Sequence, residues 1–196
     1  MSLAGIRLGF AMTGSHCTIP GVWSALEAIL AAGADVYPIL SRSVDETDTR
    51  FGKASEIRER LAALCGREPW SSQVSVEAIG PKSLLDVLAV APCTGNTLAK
   101  LAHGISDTVV TLACKAQHRN QRPIVLAVST NDGLSGNAVS LGILLNRKCY
   151  YFVPFGQDNP EGKTNSLLAR MDLLPDAIEA ALAGRQLEPL LIEHPV

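Results

Sequence analysis

Charged residues make up only 18% of this 196-residue chain and aromatic residues 5%, against 47% hydrophobic. A core with so few rings has to be built from Ala, Val, Leu and Ile, which favours an α/β class. The length suits one domain spanning 1–196. A net charge of −2 leaves no electrostatic footprint for a nucleic acid or an anionic membrane surface. The short basic clusters at Arg58–Arg60 and Arg147-Lys148 are interleaved with acidic or apolar residues and read as solvated faces. No apolar run approaches the ~20 residues a membrane-spanning helix needs, so a cytoplasmic protein is expected. The five cysteines form no CxxC pair, and no His/Cys cluster has zinc-ligand spacing. A disulfide framework and a metal site are thereby excluded, and most cysteines are expected as small buried hydrophobes.

What the chain does have is alternation. Apolar runs of strand length occur at 5–12, 35–40, 73–79, 84–91, 123–129 and 149–155. Stretches of helical period lie between them, at 22–30, 51–65, 96–104, 106–118 and 135–146, and a last one near 172–183 follows a polar loop at 156–166. Strands that are apolar almost throughout imply a parallel sheet covered on both faces. The expected fold is a doubly wound, Rossmann-like sheet of about six strands in the order 3-2-1-4-5-6. Ligands then bind outside the carboxyl ends of strands 1 and 4, where the winding reverses.

Two turns of small polar residues fall at that point: "TGSHCT" (13–18) and "PCTGNT" (92–97). Gly14 and Gly95 let a ligand approach the backbone. Ser15, Thr94, Asn96 and Thr97 offer hydroxyls and an amide beside free helix N–H groups, a chemistry that suits phosphate. The same residue types also serve as ordinary helix caps. The first turn is not GxGxxG, and the second strand ends in "LSRS" (40–43) rather than in an acid. A mononucleotide phosphate therefore fits better than a dinucleotide, with Ser41 and Ser43 as further donors. A third turn, "STNDG" (129–133), opens on the same edge and places Asn131 towards a substrate.

"APCTGNTLAKLAHGISDTVVT" (91–111) resembles the "APxSANTxxKxAxGxADNLLT" segment of the FMN-binding flavoproteins, a family that includes cysteine decarboxylases and flavin prenyltransferases. The likeness runs from residue 5 to about 180, with "TGSHCT" as the first phosphate-binding turn and "AVSTNDGLS" in place of the family's "PxMN". It implies FMN, or phosphate or sulfate in the phosphate site where flavin is lacking. By position, Gly14, Ser15, Ser41 and Ser43 would hold the phosphate, Pro92, Thr94, Gly95, Asn96 and Thr97 would line cofactor, and Asn131 would touch substrate. "DTRFG", "STNDGL", "PFGQDNP" and "MDLLP" resemble one branch of the family. Its members are the B-type components of two-component oxidoreductases, which work with an NADP-binding A subunit on a small dicarboxylate in the mother cell of spore-forming bacteria. The resemblance also implies a homo-oligomer, a trimer or a multiple of one.

The decarboxylases' His before the fourth strand has no counterpart in 76–86, nor their late-loop Cys in 156–170. A non-catalytic scaffold subunit and a separate decarboxylase- or prenyltransferase-like enzyme therefore stand as alternatives. In a flavin enzyme the cofactor carries the redox chemistry, and the protein binds, orients and moves protons. His16 is the expected proton-transfer group. Arg50, Lys53, Lys163 and Arg170 are candidate partners for a dicarboxylate.

Overall fold

A computed structural model describes residues 2–193. Strands β1 (Arg7–Met12), β2 (Asp35–Leu40), β3 (Val87–Cys93) and β4 (Ile124–Thr130) form a parallel core in the order β2-β1-β3-β4, and β5 (Tyr150–Phe152) pairs parallel with the first half of β4. Leu8 lies opposite both Val36 and Val87, which fixes the register at the centre of the sheet. Every residue of β3 is buried, the pattern of a strand covered on both faces. Helices α1 (Ile19–Ala31) and α7 (Leu174–Leu182) pack together on one face. On the other face lie α4 (Gly95–Ala102) and α5 (Val109–Arg119). The doubly wound expectation holds.

One expected strand is absent, and the order changes with it. Residues Val74–Ile79 form a 3-10 helix, with Val76 and Ile79 buried and Val74 78% exposed. Burial three residues apart matches a three-residue turn and not the period of two of a strand. The edge of β2 is closed instead by Trp70, whose N–H donates to Pro38 O and whose carbonyl accepts from Leu40 N, each at 2.9 Å. Without the outer strand the parallel order in chain sequence is 2-1-3-4-5, which leaves the reversal between the first strand and β3 where it was expected.

The expected helix over 51–65 is α3 (Ala54–Cys65), preceded by a short α2 (Arg42–Glu46); α6 (Ala138–Leu145) follows β4. The run expected as a single strand at 149–155 is broken at Pro154, which has no N–H to donate. Beyond it, β6 (Phe155–Gly156) and β7 (Leu167–Ala169) make an antiparallel hairpin, and β7 pairs with the last residues of β4. This hairpin carries the 157–166 segment over the end of the sheet where the turns lie.

Candidate functional site

The first turn is tied to the end of β3 by one buried side chain. Thr13 Oγ1 donates to Pro92 O at 2.7 Å and accepts from Thr94 N at 3.0 Å. The two turns are therefore held as one unit. Pro92 itself is fully within the strand and contributes its carbonyl to this tie, not a surface to the crevice. At Thr94 the hydroxyl caps α4 by accepting from Thr97 N at 3.3 Å. That is the ordinary capping role, and it leaves the first N–H groups of the helix directed out of its end.

Two cavities meet along Gly14 and Thr94. The smaller, about 310 Å³, is lined by Gly14, Ser41, Ser43, Thr94, Asn96 and Thr97 among others, which brings together six of the expected phosphate and cofactor residues. The larger, about 740 Å³, takes Ser15, Gly95 and Asn131, with the 157–172 segment as its outer wall. Ser15 thus faces away from Ser41 and Ser43: its hydroxyl bonds Ser129 Oγ at 2.6 Å, and Thr18 Oγ1 reaches the same Ser129 oxygen at 2.7 Å. His16 lines neither cavity. Its Nε2 lies 3.3 Å from Ser43 Oγ, and burial lowers its pKa below the usual imidazole value, so it is neutral at pH 7. Arg50 and Lys53 also lie outside both cavities, Arg50 stacked over the Phe51 ring and Lys53 at the N-terminus of α3.

Glycine is required at both key positions by close approach. A Cβ on Gly14 would stand 2.5 Å from Ser43 Oγ, and one on Gly95 would stand 2.5 Å from Thr130 Oγ1 and 2.6 Å from Asn137 Nδ2. The cluster under Gly95 escaped sequence reasoning. Asp132 accepts from Thr130 Oγ1 through one carboxylate oxygen and from Asn137 Nδ2, at 2.7 Å, through the other. "ND" before Gly133 signals a tight turn, and nothing in that signal announces a carboxylate turned back under the neighbouring helix.

The polar groups at the smaller cavity are incompletely satisfied. Ser41 Oγ and His16 Nδ1 are buried with no hydrogen-bond partner, and Ser41 sits at the N-cap of α2 without making a cap hydrogen bond. Buried polar atoms are nearly always paired, so an orphaned hydroxyl beside a glycine cradle fits a ligand rich in acceptors. The nearby cations pair with acids of their own, Arg42 with Glu46 and Lys100 with Asp107, each at 2.7 Å. The hydroxyls and backbone N–H groups there are a donor set that suits a phosphate monoester.

These features are those of a family. The model of the flavoprotein family matches residues 2–141. The chain belongs to the flavoprotein family. It is 46% identical over 193 residues to the B subunit of dipicolinate synthase from Bacillus subtilis (strain 168), with 98% of this chain and 96% of that protein covered. The crystal structure of the dipicolinate synthase B subunit from Bacillus halodurans C matches with a TM-score of 0.91 at 44% identity, over 98% of this chain and 99% of that one. Both matches bear out the branch that the sequence words resemble. Burkholderia xenovorans DmrB, solved in complex with FMN, shares the fold at a TM-score of 0.60 and 21% identity, over 76% of this chain and 87% of that one.

No helix among the described residues is long and apolar enough to cross a membrane, and no group of three or more His, Cys, Asp or Glu side chains there could hold a metal ion. All five cysteines are free. Cys93 and Cys114 are core residues, and burial pushes the Cys93 thiol up to about 12. Cys17 is exposed and lines the larger cavity.

Proposed function

We propose that this chain acts as the B subunit of a dipicolinate synthase: a cytoplasmic, FMN-binding oxidoreductase component that works with an A subunit carrying NADP to oxidise dihydrodipicolinate to dipicolinate in the mother cell during sporulation. The observation that carries this reading is the 46% identity to a dipicolinate synthase B subunit over nearly the whole chain. The described fold acts in it as one domain, within a homo-oligomer.

Gly14, Ser41, Ser43, Asn96 and Thr97 would hold the FMN phosphate in the smaller cavity. Thr94 and Gly95 would border the flavin where the two cavities join, and Ser15 and Asn131 would face ring and substrate in the larger one. When bound, the flavin supplies the two-electron chemistry. The chain's own contribution is placement. The Thr13 tie fixes the distance between the two turns, Asp132 fixes the β4 turn that presents Asn131, and the 157–172 segment forms the outer wall of the larger cavity. His16, neutral and bonded to Ser43, orients that hydroxyl and can take up a proton near the phosphate.

The lost decarboxylase His and Cys motivate a second reading, a scaffold subunit with a pocket that does no chemistry. Reconstitution separates the two. Purified chain, A subunit, FMN, NADP and dihydrodipicolinate should yield dipicolinate, and Asn131→Ala should cut the rate about tenfold or more while the subunits still assemble. Full activity of Asn131→Ala, or of the mixture without flavin, would favour the scaffold. Release of CO2 from a cysteinyl substrate would favour the decarboxylase alternative.

A further inference from the structure

The larger cavity has one wall of hydroxyls and amides, from Ser15, Thr18, Ser129 and Asn131, and one charged wall, built from the β6–β7 hairpin and the residues after it. On the charged wall stand Lys163 and Arg170, the two cations among its lining residues. Each is held by an acid from its own segment, and both acids line the same cavity. Lys163 Nζ reaches Asp158 Oδ2 at 3.3 Å; Arg170 donates through Nε and a terminal nitrogen to the two oxygens of Asp172, at 2.9 and 2.7 Å. The Asp158 carboxyl is charged, because burial, which would raise its pKa, is outweighed by the Ser166 hydroxyl and the Lys163 ammonium.

These pairs are exchangeable. Each pair has one exposed partner, Asp172 at 59% and Lys163 at 50%, and one largely covered, Arg170 at 32% and Asp158 at 22%, so solvent reaches and screens both pairs. The backbones that carry the cations are fixed: Arg170 N donates to Pro154 O at 2.9 Å, and Lys163 N to Asn159 O at 2.7 Å. The hairpin is joined to the Asn131 turn through Leu134 N and Asn165 O at 3.0 Å. A guanidinium already in two-point contact with a carboxylate, just after a strand and lining the cavity that Asn131 also lines, has the geometry for a second carboxylate of the same shape.

We propose that Lys163 and Arg170 are the carboxylate-recognition pair of the larger cavity, and that a small dicarboxylate binds there by replacing Asp158 and Asp172 as their partners. Arg170 provides the two-point anchor and Lys163 a point charge for the second carboxylate. The proposal deepens the dipicolinate synthase reading and rests on it for the identity of the ligand.

The test is calorimetric titration of the FMN-equilibrated full-length protein with dipicolinate and with picolinate, its monocarboxylate analogue. The protein should prefer the dicarboxylate. Arg170→Gln should weaken dipicolinate about tenfold or more and erase most of that preference, and Lys163→Met should weaken it about threefold to tenfold. Asp172→Asn, which removes the competing carboxylate, should tighten it severalfold. Opposite signs at Arg170 and Asp172 are the signature that a merely structural pair would not give. An unchanged preference in Arg170→Gln, weaker binding in Asp172→Asn, or a protein that binds FMN but not dipicolinate would overturn the proposal and leave the flavin site standing. Failure to bind FMN would instead overturn the function on which it rests.

Discussion

The two ends of the central strands are built on opposite terms. At the amino end, Asp86 accepts from Arg7 N, Nε and a terminal nitrogen at 2.8 to 3.1 Å, and from Arg122 at 2.7 Å. At the carboxyl end of the same strands Thr13, Ser129 and Asp132 are also bonded to their neighbours, but Ser41 Oγ and His16 Nδ1 are buried without partners. At the amino end the charged groups engage one another, although Gln117 Oε1 beside Leu85 is left without a partner. The carboxyl end leaves Ser41 Oγ and His16 Nδ1 unpaired, beside a glycine, Gly14, that lets its turn approach Ser43 closely. The Asp86 cluster serves stability alone, whereas at the carboxyl end some groups serve the fold and others are left for binding.

The sharpest way to break that division is Gly95→Val, since a side chain there collides with Thr130, Asn137 and Asp132 together. FMN affinity should fall about a hundredfold and stability by about 2 kcal/mol, read by flavin titration and denaturant unfolding. Loss of stability with unchanged flavin affinity would show that the cofactor does not approach this turn. Asp86→Ala should do the reverse, costing about 1 to 2 kcal/mol once screening at a partly exposed site is allowed for, with FMN affinity unaltered.

The same carboxylate sets an acid limb. Arg7 holds Asp86 down to about 2, against an ordinary value of 3.8. The unfolded chain therefore takes up the proton first, and the stabilisation, complete above about pH 4, is lost as pH falls towards about 2. Unfolding midpoints measured across that range should flatten in Asp86→Ala relative to the parent.

At the other end, Ser41→Ala should weaken FMN about fivefold and leave the melting temperature unchanged or slightly higher, because the hydroxyl it removes has no partner in the free protein. A clear drop in melting temperature would mean that Ser41 serves the fold. The smallest effect is at His16, whose lowered pKa makes the unfolded chain the better proton acceptor. Stability should decline slightly as pH falls through about 6.5, and His16→Asn should remove that decline.

How much of this is legible in the sequence follows from the kind of signal each feature leaves. The buried parallel strands announce themselves as apolar runs, and the switch-point turns follow from counting those runs, so Gly14, Ser41, Ser43, Asn96 and Thr97 converge on one cavity as expected. "QVSVEAI" misleads because alternation over so few residues also fits a 3-10 helix, and only the burial of Val76 and Ile79 distinguishes them. The outward turn of Ser15 to Ser129, the Asp132 cluster and the pairing of Lys163 and Arg170 with their own acids depend on contacts between segments distant in the chain or on side-chain direction, neither of which leaves a local pattern.

The central claim, that the carboxyl end of the sheet holds a flavin through uncharged donors, is tested most directly by titrating the purified protein with FMN beside Ser41→Asp. The aspartate's charge opposes a phosphate, and circular dichroism establishes that the variant keeps its fold before the titration is compared. Saturable binding by the parent and its loss in a folded Ser41→Asp protein is the expected result. A folded parent that does not bind FMN, or a Ser41→Asp variant that binds it equally well, would contradict the account.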